Sequence, residues 1–314
     1  MRIGALGARS AGRGCGMVSD ARIGLVTGAN QGLGRAVVAG LARAWGEQGT
    51  VYLTGRDRQR VEEAAAALAR HGLRVVPAVC DVRDDGAVQG LARRIADRHG
   101  GVDFVDSSAT AGISPGVPDA GQVGDLINTN NLGATRMIRS FGPLLRPGGR
   151  LVVTASDFGT LAGLPAHLRP RFDTETMSLD DLDQTMRDYA DAVRSGAAAG
   201  QGWPEWINIP SKIGQVAAVR IYARDQREQA MRDGQLIVAV CPGLVDTRAS
   251  RPWFTDMSQA QSPDQAAVDV VKLATGPIEP QMYGELVQHG QILPWTDHVV
   301  RRAVSPVSGF RRDG

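Results

Sequence analysis

The first residues along the chain with chemistry to offer are those that could hold a phosphate. Val26-Thr27-Gly28-Ala29-Asn30-Gln31-Gly32-Leu33-Gly34 follows the apolar run Ile23 to Val26 and leads into the helical pattern of Arg35 to Ala44. Glycines spaced G-x-x-x-G-x-G turn the backbone tightly without a Cβ penalty. They leave amide N–H groups exposed at a helix N-terminus, where the helix dipole favours a pyrophosphate. Gly28, Asn30, Gln31, Gly32, Leu33 and Gly34 are the candidate cofactor contacts. The spacing departs from the general G-x-G-x-x-G fingerprint, and a plain tight βα connection is the competing reading. At the end of the next β-rich run stands Gly55-Arg56. An acid there would take a ribose 2′-hydroxyl, whereas a small residue plus arginine accommodates a 2′-phosphate, so NADP(H) is expected over NAD(H). The bland alternative is a surface arginine in a turn.

A second group of chemically able residues lies beyond residue 150. Ser156 and Asp157 follow the apolar run Arg150 to Ala155. A hydroxyl at a strand's carboxyl end points into the ligand crevice of an open α/β sheet, while Asp157 reads either as a proton-handling group or as a solvated loop acid. Only Lys212 and Lys272 are lysines among 35 basic residues. Arginine stands almost wherever either would serve, so a retained lysine marks a place where a guanidinium fork cannot replace a compact ammonium.

These groups need a scaffold, and the pattern supplies one. Ile23–Val26, Thr50–Thr54, Val75–Val79, Val102–Val105, Arg150–Ala155, Leu236–Val240 and Glu285–Gln288 read as strands. Helical periodicity runs through 35–44, 58–70, 87–99, about 125–145, about 210–233 and 264–273. Alternating β and α elements imply an α/β fold: a single doubly wound parallel sheet with helices on both faces and ligands at the strands' carboxyl ends. The alternation fails only in 158–205, a long insertion before the helix that carries Lys212. The main domain is placed at 21–296. Residues 1–20 read as a flexible N-terminal extension, in which Met17 marks a second plausible start, and 297–314 as a basic C-terminal tail.

Composition narrows the function classes. The 314 residues are 43% hydrophobic, enough for one large core, and the formal charge of +2 argues for no nucleic-acid partner. No apolar run approaches the ~20 residues of a membrane span. Cys15, Cys80 and Cys241 are scattered, with neither metal-ligand spacing nor a disulfide framework, which fits a cytoplasmic protein without a metal site. Four of the five tryptophans (Trp203, Trp206, Trp253, Trp295) lie in the C-terminal half, suggesting an apolar or aromatic small-molecule substrate.

Taken together, Val26–Gly34, Asp81 after the third strand, Asn130 in Asn128-Thr129-Asn130-Asn131, Ser156, Lys212, and Cys241-Pro242-Gly243 followed by Thr247 resemble the short-chain dehydrogenase/reductase family. The likeness extends over roughly residues 22 to 295. Thr27-Gly28-Ala29-Asn30, Gly202-Trp203-Pro204 and the long gap between Ser156 and Lys212 are similar to its monomeric carbonyl reductases. The resemblance implies a Rossmann-type fold and a monomer. It assigns adenine to Asp81 with Val82, the nicotinamide border to Pro242, Gly243, Leu244 and Thr247, the nicotinamide ribose to Lys212, and catalytic roles to Ser156, Asn130 and Lys212.

Two family hallmarks are altered. The family's Tyr-x-x-x-Lys, whose phenol protonates the carbonyl oxygen, is here Asn208-Ile209-Pro210-Ser211-Lys212, and the usual Asn-Asn-Ala-Gly is Ser107-Ser108-Ala109-Thr110. A carboxamide donates a hydrogen bond but cannot act as a general acid near neutral pH. Asn208 therefore has two readings. It polarises a carbonyl or holds a water, the proton coming from Ser156, from Asp157 or from solvent through Lys212; or it caps a helix that starts later, because Pro210 is at home only in a first helical turn. The expected function is NADP(H)-dependent carbonyl reduction with a modified proton relay. The alternatives are a nonredox cyclase, isomerase or dehydratase on the same scaffold, and a catalytically dead NADP(H) sensor.

Overall fold

Residues 21–296 are described by a computed structural model of the chain; the expected extension (1–20) and tail (297–314) lie outside the described residues. Eight strands form one sheet in the order β3-β2-β1-β4-β5-β6-β7-β8. They are β1 (Arg22–Val26), β2 (Gly49–Gly55), β3 (Val75–Val79), β4 (Val102–Ser107), β5 (Leu145–Thr154), β6 (Leu236–Val240), β7 (Leu286–Gln288) and β8 (Gln291–Leu293). The helices are α1 (Gly32–Trp45), α2 (Arg58–Ala69), α3 (Asp85–His99), α4 (Asp119–Asn130), α5 (Leu132–Phe141), α6 (Leu179–Arg194), α7 (Asn208–Asp233) and α8 (Pro263–Thr275). All neighbouring strands pair in parallel except β7 and β8. The strand order reverses between β1 and β4, which opens a crevice at their carboxyl ends.

Burial explains why the strands read as near-continuous apolar runs. Leu25, Val26, Val51, Leu53, Phe104, Val105, Val152, Val153, Val238 and Ala239 are all buried between two helical layers. Right-handed crossovers place α1 and α2 on one face, where α8 packs on α1, and α3, α4, α5 and α7 on the other. Trp45, the last residue of α1, lies across the backbones of β1 and β2: a Cβ on Gly24 would fall 2.7 Å from its ring, and one on Gly49 2.5 Å from its Cβ.

Four details differ from the sequence pattern. The helix expected at about 125–145 is two helices, broken at Asn131, whose Nδ2 donates 2.8 Å to the Ser211 carbonyl of α7 and so draws the backbone across. Strand β5 begins at Leu145 and absorbs Gly148 (φ 73°) as an irregularity, with a register shift opposite Val102/Phe104. The insertion carries α6, opened by a Ser178/Asp181 capping box. Its acidic outer face masked the stripe Leu182, Met186, Tyr189 and Ala190 that it buries against α4 and α7. Finally, the sheet is not wholly parallel, because β8 closes its edge as an antiparallel hairpin strand.

Candidate active site

The glycine turn has the geometry that its composition implied. Gly28 and Gly32 take left-handed φ values of 64° and 55°. A Cβ on Gly28 would lie 2.8 Å from the Ala109 backbone, and one on Gly34 3.0 Å from the Gly28 carbonyl. Gln31 is extended at the N-cap of α1 with no side-chain cap bond, so the helix presents bare amides to the crevice. Thr27 Oγ1 accepts from the amides of Ser108 (2.9 Å) and Ala109 (3.0 Å), fastening the altered segment after β4 against the turn. From the opposite side the loop after β6 reaches over: a Cβ on Gly32 would sit 3.6 Å from the Thr247 methyl. Asn30 abuts Gly55, and half-buried Leu33 packs against the core.

At the carboxyl end of β2, Arg56 is exposed and makes no hydrogen bond or ion pair among the described residues. Its charge is felt at Asp81, whose carboxyl is held below the ordinary range chiefly by hydrogen bonds from Arg83 and also by Arg56. Arg83 grips Asp81 through Nε (3.1 Å), Nη2 (2.8 Å) and its own amide (3.0 Å), and reaches Asp125 at 3.3 Å. Sequence reading passed over Arg83, although Asp81-Val82-Arg83 is a local carboxylate–guanidinium pairing. Val82 is buried beneath this clamp: its carbonyl accepts from Arg136 (3.2 Å) and its side chain lies against Gly133.

The catalytic candidates gather where β5, β6 and α7 meet. Ser156 caps the short turn after β5 and donates 2.8 Å to Asp157 Oδ1; the Asp157 amide donates 3.1 Å to Cys241 Sγ. Burial, aided by the Asp157 charge, pushes the Cys241 thiol up to about 12, so it is an inert neighbour. Lys212 donates 2.8 Å to Gln215 Oε1, and burial lowers its ammonium to about 8, with Cys241 opposing weakly. Beyond it, Pro242, Gly243 and Leu244 are half-buried and pinned by Gln261, which donates from Nε2 to the Pro242 carbonyl (3.1 Å) and from its amide to the Leu244 carbonyl (2.9 Å).

The cap reading of Asn208 needs correction, and Asn130 has fold partners that the sequence did not show. Asn208 is not the helix cap: α7 starts at Asn208 itself, Ile207 occupies the cap, and Pro210 sits harmlessly in the first turn. Its half-buried carboxamide makes no hydrogen bond among the described residues. Asn130 is wholly buried and its side chain is spent on the fold, accepting from Thr110 Oγ1 (3.0 Å) and the Ala111 amide (2.9 Å) and donating to Ser211 Oγ (3.1 Å). It thereby steadies Ser211, the residue next to Lys212.

Only two of the four C-terminal tryptophans border this corner. Trp206 stacks edge-on to Phe158 at 5.0 Å and tilts against Trp253 at 5.6 Å, and Trp253 Nε1 donates 3.2 Å to the Ile113 carbonyl, tying the loops after β4 and β6 together. Trp203 belongs to the core with Phe172 and Tyr189, and Trp295 lies under the Arg220 guanidinium. Among the described residues no His, Cys, Asp or Glu group could hold a metal. Sequence reading also missed Asp106 and Gln215, buried polar residues on β4 and α7. Asp106 carried a signal, as one of two acids, with Asp103, in a short strand that otherwise reads apolar.

Comparison with known proteins agrees with this geometry. The short chain dehydrogenase family model matches residues 22–166. Carbonyl reductase [NADPH] 1 of Rattus norvegicus is 31% identical over 286 residues, covering 89% of this chain and 100% of the relative, and that of Homo sapiens is 30% identical over the same shares. Among solved structures, salutaridine reductase from Papaver somniferum superposes with a TM-score of 0.72 at 20% identity, covering 84% of this chain and 99% of that one. Menthone neomenthol reductase from Mentha piperita gives 0.68 at 22%, with 86% and 99% covered. A cradle, a crevice and a Ser–Lys corner on one doubly wound sheet, with relatives of this similarity along nearly the whole chain, identify the protein as a member of the short-chain dehydrogenase family.

Proposed function

We propose that the protein is a monomeric, cytoplasmic, NADP(H)-dependent reductase of a carbonyl on a small apolar or aromatic substrate, with a proton relay rebuilt around Lys212. The observation that carries the reading is the conjunction of an intact cradle with a lysine whose proton is loosely held. Gly28, Gly32 and Gly34 let the turn fold closely on itself with the α1 amides bare for a pyrophosphate, Arg56, without a partner among the described residues, would meet a 2′-phosphate, and Pro242, Gly243, Leu244 and Thr247 would border the nicotinamide side. The bound cofactor would supply the hydride.

The chain's own residues would handle the oxygen. Asn208 and Lys212 stand four apart on α7, hence on one helix face. The Asn208 carboxamide, without a partner among the described residues, donates a hydrogen bond that polarises the carbonyl. Lys212, at about 8, is mostly protonated at neutral pH yet near the value at which proton transfer is efficient. Its ammonium gives a proton to the developing alkoxide and regains one from solvent. The Ser156 hydroxyl, which donates to Asp157 Oδ1, would turn its single hydrogen from that carboxylate to the substrate oxygen. Trp206, Trp253 and Phe158 furnish the aromatic wall. Monomeric behaviour follows from α6, which covers faces of α4 and α7 with Leu182, Met186 and Tyr189.

Asn208 also favours a second reading, nonredox chemistry such as cyclisation, isomerisation or dehydration, in which the Ser156–Asp157 pair serves as base. Asn208→Tyr separates the two. A reductase retains NADPH binding and keeps or gains turnover on simple carbonyls, measured by loss of NADPH fluorescence. A site rebuilt for other chemistry loses its native reaction and shows no NADPH consumption in either protein, which would overturn the reductase reading.

A further inference from the structure

Behind the candidate lysine runs a hydrogen-bonded chain that leads away from the crevice into the sheet. Lys212 Nζ donates to Gln215 Oε1 at 2.8 Å. Gln215 Nε2 donates to the Thr154 carbonyl at 3.3 Å, at the carboxyl end of β5. Thr154 Oγ1 in turn donates to Asp106 Oδ1 at 3.0 Å on the neighbouring strand β4. Gln215 is 1% exposed and Asp106 wholly buried, so neither amide nor carboxyl trades its partner for water. The Asp106 carbonyl accepts the Thr27 amide at 2.9 Å, which joins the same chain to the first residue of the glycine turn.

From this geometry we infer that Gln215 is the positioning residue of Lys212. Backed by Thr154 and Asp106, it offers the ammonium one neutral acceptor at a fixed place and so sets both where the proton is held and how readily it leaves. The inference rests on the proton-donor role of Lys212 proposed above. Neutrality is the point of a glutamine here. A carboxylate at the same distance would pair with the ammonium and bind its proton tightly; an alkyl group would leave it buried without a partner. Few charges compete for the lysine. Cys241 on β6 faces it as a thiol raised by burial; Asp157 in the turn after β5 acts on Cys241 and is bonded to Ser156; Asp106 lies beyond Thr154. The long arm from Gln215 Nε2 to Thr154 fixes which way round the amide sits, because only its oxygen is then left for Nζ.

The scarcity of lysine makes the test direct. Full-length protein grown with ε-¹³C lysine carries two lysine signals, from Lys212 and from Lys272, whose side chain is 74% exposed and serves as the internal reference. In the wild type the Lys212 signal should titrate near 8. Gln215→Glu should move that midpoint up by at least about one pH unit and Gln215→Leu should move it down, with Lys272 unchanged in all three. The alkaline limb of kcat for NADPH-dependent reduction should move in the same directions, with kcat reduced about tenfold in either variant and KM for the carbonyl within about twofold. An unchanged Lys212 midpoint in both folded variants, checked by the Lys272 signal and circular dichroism, overturns the inference. If the midpoints move but no carbonyl is reduced by wild type, the positioning role stands and the reductase reading falls.

Discussion

The glycine turn and the Ser156–Lys212 corner, proposed as cofactor cradle and catalytic site, occupy the two sides of one crevice, yet they are written in different materials. The cradle is made of backbone: positive φ at Gly28 and Gly32, bare amides at the start of α1, and contacts too close for any Cβ. The corner is made of side chains: Ser156 on Asp157, Lys212 on Gln215, an unengaged carboxamide at Asn208. A backbone site tolerates little exchange, because only glycine fits. A side-chain site keeps its architecture while its chemistry changes, since exchanging one donor alters the proton path and leaves the strands in place. The proposed relay, with Asn208 four residues before Lys212, draws on the second region.

The contrast is broken most severely by putting a side chain into the cradle. Gly28→Val combines a disfavoured left-handed φ with a Cβ 2.8 Å from the Ala109 backbone. NADPH affinity by fluorescence titration should fall more than about 1,000-fold, a cost of roughly 4 kcal/mol, with Lys212 and Ser156 untouched. Binding within about threefold of wild type would show that the cradle is not where the cofactor lies.

The next largest effect belongs to the side-chain region and to pH. Asp106 is wholly buried, and desolvation raises its carboxyl from 3.8 to about 7, Thr154 opposing only partly. The folded state therefore holds a proton that the unfolded state releases, so stability is greatest below about 4 and is lost progressively as pH rises to about 7. Asp106→Asn keeps an oxygen for Thr154 and removes the titration. Its stability relative to wild type should rise by roughly 2–4 kcal/mol between pH 4 and pH 8 in urea unfolding. Parallel pH profiles for the two proteins would contradict it.

Arg56 probes the cradle by a side chain, and its effect is the smallest. Arg56→Ala should weaken NADPH by roughly 1.5–3 kcal/mol, about 10- to 100-fold, and leave NADH within about twofold, since only the 2′-phosphate is lost. Equal losses for both would place the arginine's contribution in the folded protein instead.

What was legible in the sequence follows the same division. Glycine spacing, alternating apolar runs and Gly55-Arg56 are local features, and the elements they predicted are present, with the helix expected at about 125–145 split in two and β5 starting at Leu145. Ser156 and Lys212 were also named together, through the resemblance to a known family, and Asp157 as the neighbour of Ser156. Non-local polar partners were not legible. Nothing near residue 215 announces that a glutamine there meets β5, and nothing near 130 shows that the Asn130 carboxamide is consumed by Thr110, Ala111 and Ser211. Helix α6 escaped for another reason: its capping box is written in Ser178 and Asp181, but five aspartates on 16 residues obscured the apolar stripe.

Trp45 carries a consequence for how this chain can vary. Its indole leaves no room for a β-carbon at Gly24 and its own Cβ leaves none at Gly49, so three positions, two of them 25 residues apart in sequence, are locked into one permitted combination. Single exchanges at either glycine should vanish from a library selected for expression. An exchange at Gly24 should return only in company with a smaller residue at 45, whereas one at Gly49 needs the Cβ at 45 to go or move; truncation at 45 alone should leave a void roughly the size of the lost ring. The neighbouring strands β1 and β2 would then drift through sequence space as a coupled pair.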